Sequence, residues 1–277
     1  MRLATIRTAG ATKAVRVTDA GLVDLGFADV KALLAADDWR AKAAVDGPLV
    51  EADGFAPVIP DPGKILCVGL NYRNHILEMG RDLPEYPTLF AKFTDALIGP
   101  EDDIRLAPES DAHDWEAELV VVVGKAVRRA SEEEAVEAIA GFTVMNDVTM
   151  RDWQFRTREW LQGKTFEGTT PLGPVLVTPE ELPGGVRPAL EISCSVDGEE
   201  MQRANTGDLV FDPVALVRYL STIMTLRPGD VIASGTPGGV GHARKPARYL
   251  QAGSKVVVEI ERIGRLENTT AYPDAAA

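Results

Sequence analysis

The sequence feature that most limits the possible folds is a predicted strand that carries acidic side chains next to an apolar run. Glu116 and Glu118 are followed by the uninterrupted apolar stretch 119–123. Because side chains alternate between the two faces of a β-strand, Glu116 and Glu118 point to the same side. The apolar continuation predicts that the strand runs into the core, so the two carboxylates lie together where the strand enters the core. Left alone they would repel and raise each other's pKa values, whereas a divalent cation between them would remove that penalty.

A third acidic residue lies in a second apolar stretch. Asp147 interrupts the predicted strand 142–148, where aspartate is otherwise disfavoured. Together with Glu116 and Glu118 it would form a site of oxygen ligands, which suits Mg²⁺, with Mn²⁺ or Ca²⁺ as rivals, and leaves positions open for water or a chelating substrate. The alternative for an isolated Glu-x-Glu pair is a polar strand end that faces water.

Most other predicted elements are short strands. Apolar runs predict strands at 65–68, 190–196, 231–234 and 255–262, and helical patterns are found at 28–44, 71–79, 131–140 and 214–224. The helix at 131–140 begins with a capping box, because Ser131 precedes Glu134 by three residues. Strands outnumber helices without regular alternation, so we expect an α+β, β-rich chain with a mixed sheet or barrel-like roll rather than a doubly wound sheet.

The first 60 residues differ in character from the rest. Short alternating strands precede Ala-rich helical sequence, and a segment rich in proline and glycine follows at 53–63. We therefore predict a small N-terminal α/β domain at residues 1–60 and a catalytic domain at residues 61–277.

The charge balance and the apolar pattern exclude several classes of partner. Asp and Glu number 42 against 29 Lys and Arg, which gives a net charge of −13, whereas nucleic acids and anionic membranes require clustered cations. The N-terminus lacks the apolar region of a signal peptide, and no uncharged segment is long enough to span a membrane. We expect no nucleic-acid or membrane partner and a cytoplasmic location. Cys67 and Cys194 lie in apolar runs and are expected to be buried, reduced thiols.

A histidine and a glutamate lie one helical turn apart in the predicted helix at 71–79. If the segment is helical, His75 and Glu78 share a face, so the carboxylate can hydrogen-bond one ring nitrogen and make the other a better base. The alternative is a surface histidine with a chance acidic neighbour. His113 lacks a comparable local partner and is expected near the surface.

Further candidate residues follow the acidic strands. Lys164 lies in a glycine-flanked segment, where the alternative is a solvated charge. Arg151 and Gln154 are three residues apart and could present donors to an anionic ligand. In a glycine-rich turn, Gly235 and Thr236 could bring a backbone N–H and a hydroxyl against a carboxylate.

Taken together and in this order, these segments resemble the fumarylacetoacetate hydrolase family. The resemblance runs from about residue 64 to about residue 268 and rests on five separated blocks. The blocks are Asn71-Tyr72 with His75 and Glu78, Glu116-x-Glu118, Asn146-Asp147-Val148-Thr149 with Arg151-Asp152, Gly163-Lys164-Thr165-Phe166, and Gly235-Thr236-Pro237 with Gly239-Val240-Gly241.

The resemblance implies a mixed β-sandwich roll, a homodimer and a small-molecule keto acid as substrate. It also implies that Glu116, Glu118 and Asp147 hold Mg²⁺ or Mn²⁺. In relatives the residues matching His75 and Glu78 form a water-activating dyad, and the match to Lys164 contacts the metal-bound oxygens. The residues whose matches help to hold substrate are Arg151, Gln154, Gly235 and Thr236.

These parts predict a reaction. A 2-oxo acid with a further carbonyl group chelates the metal, which stabilises an enolate as a Lewis acid. Water activated by His75 and Glu78 would then split a carbon–carbon bond of an acylpyruvate or fumarylpyruvate. We therefore predict a metal-dependent hydrolase of β-diketo acids. The alternatives are an oxaloacetate-type decarboxylase or a 2-hydroxyhepta-2,4-diene-1,7-dioate isomerase on the same scaffold and, more distantly, a non-catalytic metal-binding paralogue.

Overall fold

The protein is built mainly from strands. The computed structural model describes residues 1–273. Its strands are β1 (Arg2–Thr8), β2 (Ala11–Thr18), β3 (Gly21–Asp24), β4 (Leu49–Val50), β5 (Gly54–Phe55), β6 (Ile65–Gly69), β7 (Thr88–Lys92), β8 (Leu97–Ile98), β9 (Ile104–Arg105), β10 (His113–Asp114), β11 (Ala117–Val123), β12 (Ile139–Asn146), β13 (Thr149–Met150), β14 (Thr170–Val177), β15 (Glu191–Val196), β16 (Glu199–Asn205), β17 (Val231–Ala233), β18 (Lys255–Ile260) and β19 (Gly264–Ala271). Its α-helices are α1 (Val30–Leu34), α2 (Trp39–Ala44), α3 (Arg73–Glu78), α4 (Glu132–Ala138), α5 (Arg151–Gln154), α6 (Leu161–Lys164) and α7 (Pro213–Ile223).

Two mixed sheets form the body of the fold. The larger sheet has the order β4-β3-β2-β1-β14-β12-β11-β17-β6-β7, with β5 paired to β1 and β8 paired to β14. The smaller sheet has the order β16-β15-β18-β19-β9. Most pairs are antiparallel, but β17 runs parallel to β6, β8 to β14, and β9 to β19. The β-rich class and the mixed sheet predicted from the sequence are thus confirmed.

The centre of the larger sheet, at β11 and β12, is buried on both faces. Along β11, Leu119 and Val121 join a core cluster with Ile192 and Val258 of the smaller sheet and with residues of α4 and α7. Val120 and Val122, which point to the opposite face, join a second cluster with residues of α1 and α2. Strands covered on both faces are apolar at every position, which explains why the stretch 119–123 shows no alternation.

Several element boundaries differ from the sequence prediction. The predicted helix at 28–44 is two short helices, α1 and α2, and the helix expected at 71–79 begins only at Arg73. The capping box at Ser131 is confirmed, although its helix ends at Ala138 rather than at residue 140. Asp147 does not interrupt a strand. It follows Asn146, the last residue of β12, so the acid lies where the ladder ends.

The first 60 residues add strands to the larger sheet. β1 pairs with β14, while β2, β3 and β4 continue the sheet outward from β1. One sheet therefore crosses the predicted domain boundary at residue 60. The division of the chain into two domains there stays a prediction. Both cysteines are buried free thiols. None of the helices in residues 1–273 is long and apolar enough to cross a membrane.

One buried hydroxyl ties three parts of the N-terminal region together. Thr5 Oγ1 donates to the backbone oxygen of Val58 at 2.8 Å and accepts from the backbone N–H of Val30 at 3.0 Å. We expect Thr5→Val to lower the free energy of unfolding by about 2 kcal/mol, because it preserves shape but leaves two buried backbone groups unpaired. Chemical denaturation would measure this, with Thr12→Val on the neighbouring strand as control. Equal stabilities of the two variants would contradict the expectation.

Candidate active site

The pairing of β11 with β12 brings the three predicted acids together. Ala117 lies opposite Asn146, so Glu118 near the start of β11 meets the end of β12. The backbone N–H of Asp147 donates to the backbone oxygen of Glu116 at 2.9 Å. One carboxylate oxygen from each of Glu116, Glu118 and Asp147 lies within 4.8 Å of the others, and all three residues are buried.

Two buried lysines balance part of this charge. Lys164 Nζ, at the end of α6, lies 2.7 Å from Glu116 Oε2 and 2.7 Å from Asp147 Oδ2. Lys92 Nζ, at the end of β7, lies 2.7 Å from Asp147 Oδ1. Burial alone would raise the pKa of Asp147, but the ammonium groups of Lys164 and Lys92 outweigh it and hold that pKa at about 2. Burial would lower the pKa of Lys164, but Asp147 and Glu116 raise it above its usual value.

Glu118 differs from the other two acids. Its Oε2 accepts a hydrogen bond from the backbone N–H of Gly235 at 2.8 Å. Within residues 1–273, no lysine or arginine nitrogen lies within 4.0 Å of this carboxylate. Burial, followed by the charges of Asp147 and Glu116, raises the pKa of Glu118 well above its usual value. Three buried carboxylates, one without a cationic partner, form a donor set that fits a hard divalent cation.

Arg151 is bound to acids at the wall of the site. Its Nη2 lies 2.7 Å from Glu116 Oε1, its Nε donates to Asp114 Oδ2 at 2.8 Å, and its Nη1 donates to Gln154 Oε1 at 2.9 Å. Burial would lower the pKa of Arg151, but Glu116 and Asp114 raise it. Asp114 also accepts backbone N–H bonds from the turn at 241–242. The hydrogen bond between Arg151 and Gln154 therefore fixes the orientation of both side chains at the site.

A cavity of about 410 Å³ opens onto these groups. Its polar lining includes Glu116, Glu118, Arg151, Gln154, Lys164 and Thr236, and its apolar lining includes Phe90, Phe155 and Trp160. The structure thus brings most of the residues predicted from separate segments around one space, which has the dimensions of a small-molecule site.

His75 lines this cavity, whereas Glu78 is exposed. A Cβ atom added to Gly238 would lie 2.9 Å from His75 Nδ1, so the imidazole packs closely against that glycine. No hydrogen bond or ion pair joins His75 to Glu78 among the described residues. Burial lowers the pKa of His75, Arg81 lowers it further, and Glu78 and Glu116 oppose the shift. The lowered pKa favours the neutral imidazole, which can accept a proton, and the dyad with Glu78 stays a prediction.

The glycine-rich turn contributes to the acids directly. The N–H of Gly235, expected to meet a ligand, is used by Glu118. Gly235 has a φ of +102°, and a Cβ atom there would lie 2.9 Å from the backbone oxygen of Val68, so the turn requires glycine. Thr236 Oγ1 accepts from Gln202 Nε2 at 2.8 Å and still lines the cavity.

Sequence reasoning missed Lys92, Asp114 and Gln202. For Lys92 a signal existed: it lies two residues after Phe90 on one strand, so the two share a face. No local signal marks Asp114 or Gln202, whose partners are distant in the chain. The expectation for His113 is wrong, because it is 2% exposed and its Nε2 accepts from the backbone N–H of Ala107 at 2.9 Å.

Comparison with known proteins identifies the family to which this chain belongs. Residues 64–271 match the family model described as fumarylacetoacetate (FAA) hydrolase C-terminal. A curated relative, oxaloacetate tautomerase fahd2, mitochondrial, of Xenopus laevis, is 44% identical over 212 residues. That match covers 76% of this chain and 66% of the relative, just under two thirds of its length.

Two solved structures are similar over 99% of this chain and 100% of their own. One is fumarylacetoacetate hydrolase from psychrophilic Exiguobacterium antarcticum, with 30% identity and a TM-score of 0.87. The other is 5-carboxymethyl-2-hydroxymuconate delta-isomerase from Mycobacterium smegmatis, with 30% identity and a TM-score of 0.79. With the family model matching most of its length, this chain belongs to the fumarylacetoacetate hydrolase family.

Proposed function

We propose that the protein catalyses keto–enol tautomerisation of a 2-oxo dicarboxylic acid of the oxaloacetate type. The observation that carries this proposal is that His75 stands in the cavity wall with no hydrogen bond or ion pair to Glu78 among the described residues. Tautomerisation needs one base, whereas hydrolysis of an acylpyruvate needs an activated water. The names of the relatives, an oxaloacetate tautomerase and an isomerase among them, support proton transfer over the hydrolysis expected from the sequence.

The chemistry is a proton shift between carbon and oxygen. His75 takes a proton from C3 of the keto acid, and the electron pair of the broken C–H bond forms the C2–C3 double bond. The 2-oxo oxygen gains the negative charge and takes up a proton from solvent, and protonated His75 releases its proton to solvent, so the enol forms with no net gain or loss of protons. The buried ammonium group of Lys164 supplies fixed positive charge beside Glu116 and Asp147, where that negative charge would develop.

We propose that Glu116, Glu118 and Asp147 hold Mg²⁺ or Mn²⁺. When bound, the cation would supply a Lewis acid for the 2-oxo oxygen. Arg151, Gln154, Thr236 and Gly235 are proposed to position the substrate: the first three line the cavity, and Gly235 acts through its bond to Glu118.

A second carboxylate on the substrate has a candidate partner at the cavity wall. Arg81 lines the cavity and forms no ion pair within residues 1–273. A guanidinium group is suited to bind a carboxylate through paired hydrogen bonds. This favours a dicarboxylic substrate over an acylpyruvate with an apolar acyl end. We also retain the homodimer and the cytoplasmic location as proposals, and a mass in solution twice that of one chain would support the dimer.

The decisive experiment follows enol and keto oxaloacetate with Mg²⁺ present, alongside pyruvate release and cleavage of acetylpyruvate. We expect catalysed tautomerisation, with kcat/KM reduced about 10²-fold to 10⁴-fold in His75→Ala, the usual contribution of a general base. Glu78→Gln should stay within about threefold of the unaltered protein, because no hydrogen bond or ion pair joins Glu78 to His75 in the part of the chain that the structure describes. Acetylpyruvate cleavage that is lost in both variants would instead establish the hydrolase, and pyruvate release from oxaloacetate would establish the decarboxylase.

The pH dependence of kcat/KM should report the protonation state of His75. The imidazole accepts a proton only when neutral, and burial lowers its pKa below 6.5. We therefore expect kcat/KM for tautomerisation to be level above about pH 6.5 and to fall as the pH drops through a pKa below that value. The residual activity of His75→Ala should lack this acid limb. A limb centred above pH 7 would contradict the assignment of His75 as the base.

Removing the charge of Glu118 should separate stability from metal binding. A carboxyl group whose pKa is raised by folding destabilises the ionised protein, so metal-free stability should fall as pH rises above 4.5. At neutral pH we expect Glu118→Gln to raise the free energy of unfolding by about 1–3 kcal/mol without metal. Mg²⁺ should then raise the melting temperature of the unaltered protein but not of this variant.

Thermal and chemical unfolding with and without Mg²⁺ would test both statements. Glu101→Gln is the matched control, since Glu101 is exposed and lies outside the site. Equal stabilisation of Glu118→Gln and Glu101→Gln by Mg²⁺ would show that the cation binds elsewhere.

A further inference from the structure

One buried amide joins the smaller sheet to two segments at the acidic end of the cavity. Gln202 lies on β16 and is 1% exposed. Its Oε1 accepts from the backbone N–H of Ala117, at the start of β11, at 3.0 Å. Its Nε2 donates to Thr236 Oγ1 at 2.8 Å and to the backbone oxygen of Pro237 at 2.9 Å. Both hydrogens of the amide are therefore used within the protein.

The backbone fixes which end of this amide faces which segment. The N–H of Ala117 can only donate a hydrogen bond, and the carbonyl oxygen of Pro237 can only accept one. Turning the amide over would place two donors against each other at Ala117 and two acceptors against each other at Pro237. Because buried groups left unpaired in this way are costly, the Nε2 group of Gln202 stays on the side of the glycine-rich turn.

The fixed amide sets the direction of the Thr236 hydroxyl. Because Oγ1 accepts a hydrogen from Gln202 Nε2, the hydrogen of the hydroxyl itself must point away from Gln202. Thr236 is half-buried and lines the cavity, and its hydroxyl donates no hydrogen bond within residues 1–273. The hydroxyl is thus left with one hydrogen to donate to a ligand in the cavity.

This hydroxyl lies at the acidic end of the cavity. The N–H of Gly235, the preceding residue, is already used by Glu118. A carboxylate group has only acceptor oxygens, so it is bound by a hydrogen that points at it and repelled by lone pairs that do. A hydroxyl that turned freely would offer either, whereas a hydroxyl that accepts from Gln202 offers the hydrogen.

We propose that Gln202 is a positioning residue, which holds the Thr236 hydroxyl as a hydrogen-bond donor to a carboxylate of the substrate; it rests on the substrate site of the proposed function. Gln202 does not line the cavity and acts only through Thr236. Its contribution is to bring the donor into the cavity already oriented, so that binding does not have to fix the rotation of the hydroxyl.

The test is a double-mutant cycle on the affinity for malonate, measured by calorimetry with Mg²⁺ present. Malonate is a dicarboxylate without a 2-oxo group, so its binding does not depend on turnover. Thr236→Val keeps the shape and removes the hydroxyl, and we expect it to weaken malonate binding about tenfold. Gln202→Met should weaken binding at least about threefold when Thr236 is present, but less than about 1.5-fold in Thr236→Val, where there is no hydroxyl to orient.

Asn71→Leu is the matched control. Asn71 is a second buried amide that holds the same turn, since its Nδ2 donates to the backbone oxygen of Ser234 at 2.8 Å, and it forms no hydrogen bond with Thr236 within residues 1–273. Its loss should weaken malonate binding by the same factor with and without the hydroxyl, because distances that change through the backbone do not depend on that group.

Coupling to Thr236 that is found for Gln202 and not for Asn71 supports the inference. An equal effect of Gln202→Met in both backgrounds, the same coupling at Asn71, or no binding of malonate to the unaltered protein overturns it. The proposed function fails separately: if the coupling is found but oxaloacetate is not tautomerised, the reaction is wrong and the role of Gln202 stands.

A second measurement needs no change at Gln202. A hydroxyl that donates a hydrogen bond becomes a stronger acceptor, so malonate should strengthen the bond from Gln202 Nε2 to Thr236 Oγ1. In NMR spectra of protein labelled with ¹⁵N in the glutamine side chains, we expect the Nε2 hydrogen that faces Thr236 to move downfield with malonate, and not to move in Thr236→Val. An unmoved signal at saturating malonate would overturn the proposal even if Gln202→Met does not fold.

Discussion

Charges can be buried at the end of an apolar sheet only if they are paired, and this constraint shapes the centre of the protein. Four buried carboxylates and three buried cations meet there: Asp114, Glu116, Glu118 and Asp147 with Lys92, Arg151 and Lys164. With all four acids ionised, the three cations leave one negative charge in excess, and Glu118 is the acid without an ion-pair partner among residues 1–273. The donor geometry that fits a metal ion and the unpaired charge of Glu118 therefore have the same cause, which is that the acids outnumber the cations.

The sheet supplies the positions that this pairing needs. β11 and β12 bring Glu118 next to Asp147, β7 carries Lys92 to the far side of Asp147, and the turn after β17 presents Gly235 to Glu118. Each of these contacts joins segments that are far apart in sequence. The apolar faces above and below hold the strands in register, so the packing of the two cores decides where the charged groups lie.

The sequence was sufficient to predict the strand class and the three acids, because both depend on local patterns. Alternation places Glu116 and Glu118 on one face, and Ser131 with Glu134 starts a helix as expected. Asp114 and Gln202 could not be assigned, because their roles depend on partners 37 and 34 residues away. The dyad of His75 and Glu78 stays a prediction: the two residues are one turn apart, but His75 lines the cavity and Glu78 is exposed. Helix periodicity fixes relative direction, but the position of the helix on the sheet decides which side chain is buried.

The contact of Lys164 with both Glu116 and Asp147 also affects how the protein matures. With its ammonium group between two of the three acids, the chain carries an internal counter-ion that offsets their repulsion before any metal arrives. With this internal counter-ion, the chain would fold before it binds the proposed cation, in contrast to small metal-dependent domains that stay unfolded until the ion binds. If the site takes the proposed cation, newly made chains would accumulate in a folded state, and metal supply would limit the activity of the protein rather than its abundance.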